Sequence, residues 1–164
     1  MQRRSVPGSS SVVTIAILTF LLADACAAAD IMGQATVIDG DTIEIHGQRI
    51  RLFGIDAPES RQTCEDDGRE YRCGKDAAFA LADHIGRQTV KCEDHGRDRY
   101  DRMIAICYSG SQDLSAWLVE QGWALAYRRY SVAYVGNERA AESAGRGMWQ
   151  GEFVAPWDCR KGVR

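Results

Sequence analysis

The run from Ile38 to Glu59 constrains this chain more than any other stretch. Thr42, Ile43 and Ile45 are strand formers that directly follow an Asp39-Gly40 turn signal. A second turn, His46-Gly47-Gln48, leads into Arg49-Ile50-Arg51-Leu52-Phe53-Gly54-Ile55. That run stops at Pro58, which also holds Ala57 extended. Two or three short strands joined by tight turns are expected here.

Carboxylates gather where these strands end. Asp41, Asp56 and Glu59 occupy positions at which a rigid scaffold presents chemistry. Such acids, with backbone carbonyls and water, suit a hard cation such as Ca²⁺, which takes roughly six to eight oxygens. An EF-hand loop does not fit, because counting from Asp39 puts Glu44 where the sharp-turn glycine belongs. Taken singly, each acid is an ordinary turn or surface residue. Arg51 adds a fixed cation among them, and that combination suits a substrate carrying phosphate. Parity is an obstacle. In a regular strand Arg51, Phe53 and Ile55 share one face and Asp56 takes the other. A bulge at Gly54 is expected to bring Arg51 and Asp56 to one site.

Residues 1–29 read as a signal peptide. Arg3 and Arg4 precede an apolar stretch, Val12 to Leu22, that is short for a bilayer span, and small residues follow from Ala25 to Ala29. Cleavage after Ala29 or after Ala27 fits, and Asp24 argues against lipid attachment at Cys26. Removing the segment leaves 135 of the 164 residues, enough for one domain with its own core. Two arginines and Asp24 go with it, so the net charge moves from −3 to −4. A global basic field is absent, and any polyanion must be held locally.

Export permits disulfides. Cys64 and Cys73 close a short polar loop, and Cys92 and Cys107 lie in two apolar runs that read as arms of one hairpin. Connectivity is not fixed by sequence, and Cys159 is left over. Zinc is disfavoured, since there is no Cys-x-x-Cys and His46, His84 and His95 lack ligand spacing.

Further along, Gln34 to Ile38 reads as a strand. Ala77, Ala78, Leu81, Ala82 and Ile85 have helical spacing within Gly74–Ile85, and His84 lies beside that stripe as a surface or packing residue. Thr89–Glu93 and Met103–Tyr108 read as a strand pair around a charged loop containing Arg97, Arg99, Tyr100 and Arg102. Such a loop is either merely solvated or suited to phosphate and base contacts. Ser115 reads as the N-cap of a helix over 116–121 ended by Gly122, residues 123–130 as extended, and 134–144 as the last helix. The expected fold is α+β: a five-stranded barrel of the oligonucleotide-binding (OB) type packed with about three helices.

By Arg102 the pattern resembles the staphylococcal nuclease (thermonuclease) family of secreted calcium-dependent nucleases. The matching pieces are Ile38-Asp39-Gly40-Asp41-Thr42, Arg51 through Glu59, Asp98-Arg99-Tyr100-Asp101-Arg102, and Leu118 through Ala124. They occur in family order, within a similarity running from about Gln34 to about Trp149. The resemblance implies that Asp41, Asp56 and the backbone carbonyl of Ala57 hold Ca²⁺. It implies Glu59 as general base toward water, Arg51 and Arg102 as phosphate-holding arginines, and Tyr100 and Tyr127 as nucleotide contacts. It also implies DNA and RNA substrates cut with little sequence preference, leaving 5′-hydroxyl and 3′-phosphate ends. The loop Ser60–Gly74 departs from the family pattern. The whole reads as an exported monomeric nuclease in residues 30–164, without stable membrane association. The alternative is an OB-fold module that binds nucleic acid without cleaving it.

Overall fold

The computed structural model describes residues 30–163. The signal-peptide expectation, with its cleavage site, falls outside them.

The chain begins with β1 (Ile31–Gln34), β2 (Thr36–Asp39), β3 (Thr42–Ile45), β4 (Gln48–Leu52) and β5 (Ile55–Asp56). A small hairpin, β6 (Cys64–Asp66) and β7 (Arg69–Tyr71), leads into helix α1 (Cys73–Ile85). Then come β8 (Thr89–Arg97), β9 (Met103–Ser109), β10 (Gln112–Asp113), α2 (Leu114–Glu120) and β11 (Leu125–Ala126). Helix α3 (Val135–Ser143), a 3₁₀ turn (Gly147–Gln150) and α4 (Pro156–Cys159) complete it. No helix among the described residues is long and apolar enough to cross a membrane.

The main sheet runs β1-β8-β9-β4-β3-β2, with β10 hydrogen-bonded to β9. It curls into the OB-like half-barrel, and the helices pack on it. The predicted meander is β2, β3 and β4, paired antiparallel with Ile43 opposite Ile50 and Thr42 opposite Arg51. Alternation explains its burial. Ile43 and Ile45 on β3, and Ile50 and Leu52 on β4, are all within the core, while Arg51 points out between the last two. β4 also pairs with β9 in parallel, Arg51 against Ile104. That register sets Arg102 two residues before Arg51's partner, at the mouth of the same sheet face.

Several boundaries differ from the sequence expectation. β8 extends to Arg97, so the charged loop narrows to 98–102. Between Trp123 and Tyr130 only Leu125–Ala126 is strand, because these residues pair with the equally short β5. The cap of α2 is Asp113 and not Ser115. The Asp113 carboxylate accepts from the N–H groups of Ser115 and Ala116 at 2.8 and 3.1 Å, which puts Ser115 inside the helix. His84 packs as expected, its ring stacked 3.8 Å from that of Trp117.

Two disulfides form, Cys64–Cys73 and Cys92–Cys107, and Cys159 is free. Cys92 faces Cys107 across β8 and β9, and both are fully buried. The Cys64–Cys73 loop joins a second apolar cluster with Leu125 and Met148, flanked by Trp149, Phe153 and Trp157.

Chain-entropy arguments assign a 15-residue closed loop about 3 kcal/mol of stabilisation. The Cys92→Ala/Cys107→Ala protein is therefore expected to lose about 3 kcal/mol in urea unfolding. Opening the shorter Cys64–Cys73 loop, whose sequence separation is 9 against 15, is expected to cost less.

Candidate active site

The site is built on a turn. After β4 the chain reverses at Phe53-Gly54, with Gly54 at φ +74°, a conformation that costs glycine little. This turn, and not a bulge within one strand, resolves the parity conflict. β5 restarts in a new direction, so Asp56 meets Arg51 although the two have opposite parity in sequence. A side chain at Gly54 would also strike the Tyr134 ring at 2.9 Å.

Arg51 joins two acids. Its Nη2 lies 2.8 Å from Asp56 Oδ1 and 3.1 Å from Asp41 Oδ2, and its Nη1 donates to Asp41 Oδ1 at 3.2 Å. Asp56 is wholly buried and Asp41 is 4 % exposed. Asp41 also accepts from the Ala57 N–H at 3.0 Å, while its own N–H donates to Asp39 Oδ1 at 3.1 Å. Asp39 thus orients Asp41, and the backbone beside Ala57 is tied to the same carboxylate. Gly40 permits this closeness, since a Cβ there would lie 2.7 Å from the Ala57 Cβ.

Burial pushes Asp41 up from 3.8 to about 7, against the pull of Arg51 and with repulsion from Asp39 and Asp56 adding to the rise. Folding therefore favours the protonated acid, and a cation bound beside it would favour the carboxylate. That donor chemistry, two facing carboxylates beside the Ala57 carbonyl, fits a hard cation. No group of three or more metal-binding His, Cys, Asp or Glu side chains occurs among the described residues, so protein backbone and water would supply the remaining ligands.

Glu59 stands at the rim on a fixed backbone. Its N–H donates to Gln62 Oε1 at 3.3 Å and its carbonyl accepts from the Gln62 N–H at 2.7 Å. Gly74 abuts the same peptide, and a Cβ there would lie 1.8 Å from the Glu59 carbonyl oxygen. Arg102 is not part of the Asp41–Arg51–Asp56 cluster. Its guanidinium pairs with Asp98 at 2.7 Å and lies 5.7 Å from the centre of the Tyr100 ring. Backbone N–H groups of Tyr100 and Arg102 donate to Asp98 as well, so Asp98 organises the whole loop. Tyr100 is 66 % exposed. Tyr127 is anchored by its N–H to the Gly54 carbonyl at 2.9 Å.

One participant escaped the sequence reading. Arg160, from the turn after α4, donates to Asp56 Oδ2 at 2.5 Å and to Glu59 Oε1 at 2.7 Å. More than a hundred residues separate it from its partners in sequence, 104 and 101 respectively. The only local signal was Trp157, Arg160 and Lys161 at i, i+3 and i+4, one face of a helical turn.

Comparison with known proteins gives the family. The sequence model of the family described as "Staphylococcal nuclease homologue" matches residues 49–151. The chain is 43% identical to the succinoglycan biosynthesis protein ExoI of Rhizobium meliloti, over 88% of this chain and 80% of that protein. It is 30% identical to a micrococcal nuclease of Shigella flexneri, over 90% of each. An uncharacterized endonuclease of Haemophilus influenzae is 30% identical over 84% of this chain and 76% of its own length.

The raised Asp41 has a consequence for stability. Folding favours its protonated form, so its contribution is complete below pH 3.8 and is lost as pH rises through about 7. With chelator present, Asp41→Asn is expected to melt higher than the parent at about pH 8, with the gap shrinking toward about pH 4. A pH-independent gap would show that burial of this charge is not the cause.

Proposed function

The chain belongs to the staphylococcal nuclease family, and we propose that it is an exported, calcium-dependent nuclease that hydrolyses phosphodiester bonds of DNA and RNA. The observation that carries this reading is the Arg51 bridge between two buried carboxylates, with Glu59 held at its rim. A micrococcal nuclease and an endonuclease among its relatives support it. Two disulfides suit an oxidising compartment, as does the signal peptide read from residues 1–29, with residues 30–164 forming the nuclease domain.

Each residue has a distinct task. Asp41, Asp56 and the Ala57 carbonyl would hold Ca²⁺, which when bound polarises a phosphoryl oxygen and offsets charge that develops on it. Arg51 and Arg102 bind the non-bridging oxygens, where negative charge grows as water attacks phosphorus. A guanidinium suits this better than an ammonium, because its planar fork bonds two oxygens at once. Glu59 takes the proton of the attacking water. The new bond joins that oxygen to phosphorus and the bond to the 5′ oxygen breaks. The 5′ oxygen leaves with a proton from solvent, giving a 5′-hydroxyl and a 3′-phosphate.

Glu59 and Arg102 are not equivalent in the fold to Arg51. Arg51 holds two buried acids together, so its loss disturbs the framework as well as the chemistry. Glu59 is more open to solvent, so its replacement disturbs the framework least, while Arg102 gives up its pairing with Asp98.

The test is cleavage of single- and double-stranded DNA by the disulfide-bonded protein with Ca²⁺, with Mg²⁺ and with chelator. Activity is expected with Ca²⁺, and Arg102→Ala is expected to lower the rate by about 10²–10³-fold. Glu59→Ala is expected to remove most of the remainder. Cleavage that survives Glu59→Ala unchanged would overturn the mechanism. DNA binding without cleavage would make the domain a binding module.

A further inference from the structure

Beside the site lies a cleft of about 680 Å³, lined by Arg99, Tyr127, Arg129, Trp157, Arg160 and Lys161. Four of these six are cations and two are aromatic, in a chain whose net charge is −3. The volume is within the range of about 300–1,000 Å³ typical of small-ligand sites. The Tyr127 and Trp157 rings are parallel within 3°, with centroids 5.5 Å apart, and Tyr130 meets Tyr127 edge-on at 5.0 Å. Among the described residues Arg99 and Arg129 form no ion pair with an acid. Arg99 lies instead over the Tyr100 ring, 4.7 Å from its centre. Arg160 connects the cleft to the carboxylates, since it lines one and bonds Asp56 and Glu59 of the other.

The cleft exists because the end of the chain is pinned down. Glu65 and Glu152 exchange two backbone hydrogen bonds, 2.9 and 2.8 Å. Gly151 permits that approach, since a Cβ would lie 1.9 Å from the Glu65 carbonyl oxygen. The Gln62 amide donates to the Val154 carbonyl at 2.7 Å. Glu65 in the disulfide-closed loop and Gln62 just before it thus hold residues 151–154, which lead into α4 beside the site. Trp157 packs its inner edge on the second apolar cluster.

We propose that α4 and the turn after it complete a second nucleotide subsite, which takes the nucleotide unit next to the scissile phosphate. Its base lies against the Tyr127–Trp157 wall, and its phosphate lies among Arg99, Arg129, Arg160 and Lys161. Aromatic faces accept any base, and the guanidinium groups of Arg99 and Arg129 attract the backbone, so the subsite favours polynucleotide without reading sequence. It also meets the need raised by the acidic composition, because the positive potential is concentrated where the strand must lie. This inference rests on the nuclease reading of the adjoining carboxylates.

The test separates binding from cleavage. A fluorescently labelled oligothymidylate is titrated by anisotropy into the disulfide-bonded protein with chelator present, across a salt series. Trp157→Ala is expected to weaken binding about tenfold, the scale of one lost stacking contact. Lys161→Gln, an exposed change that leaves the core untouched, is expected to lower the slope of log K against log salt by about one. In the Ca²⁺ cleavage assay both variants are expected to raise KM and to leave kcat near the parent value. Cleavage by the parent protein with both variants binding normally would overturn the subsite and leave the nuclease reading intact. Weakened binding in both variants without cleavage by the parent would uphold the subsite and overturn the nuclease reading.

Discussion

The site depends on one guanidinium. Arg51 stands between Asp41 and Asp56, both almost without contact to solvent. Two carboxylates in so dry a place repel one another and lose their hydration. Arg51 orients both and lowers the cost of charge on Asp41, although burial still holds that acid well above its ordinary value. Removing Arg51 would leave Asp41 without its ion pair and Asp56 with Arg160 alone. The elements that deliver it are therefore constrained: β4 between β3 and β9, the Phe53-Gly54 reversal, and the Ala57 N–H turned onto Asp41.

A second layer of constraint is backbone proximity. Gly40 against Ala57, Gly74 against Glu59 and Gly151 against Glu65 are contacts that a Cβ would prevent. Each draws a separate segment toward the site. Gln62, just before the Cys64–Cys73 loop, bonds both the Glu59 backbone and the Val154 carbonyl, and Glu65 within the loop pairs with Glu152. The backbone at the rim is thereby tied to the C-terminal segment.

Charge follows the same logic. The chain is acidic overall, so long-range attraction of a polyanion is weak. Four cations concentrated around two parallel rings make a local exception. Arg160 is shared between this cleft and the carboxylates, so that the two regions form one continuous surface.

Much of this was legible in the chain itself. Alternation in Thr42–Ile45 and Arg49–Ile55, punctuated by turn residues, determined the meander and the outward face of Arg51, because side-chain period and turn chemistry are local. Asp41, Asp56 and Glu59 were recognisable as a set at strand ends, and Cys92 and Cys107 as neighbours across a hairpin. The N-cap of α2 was misread because both Asp113 and Ser115 have capping side chains, and tertiary packing selected the one that also accepts from the Tyr134 hydroxyl. The device joining Arg51 to Asp56 depended on where the chain reversed, which propensity places only loosely. Arg160 and the cleft were out of reach altogether. They arise from contacts between residues about a hundred positions apart, and no local pattern encodes such a contact until the fold has closed.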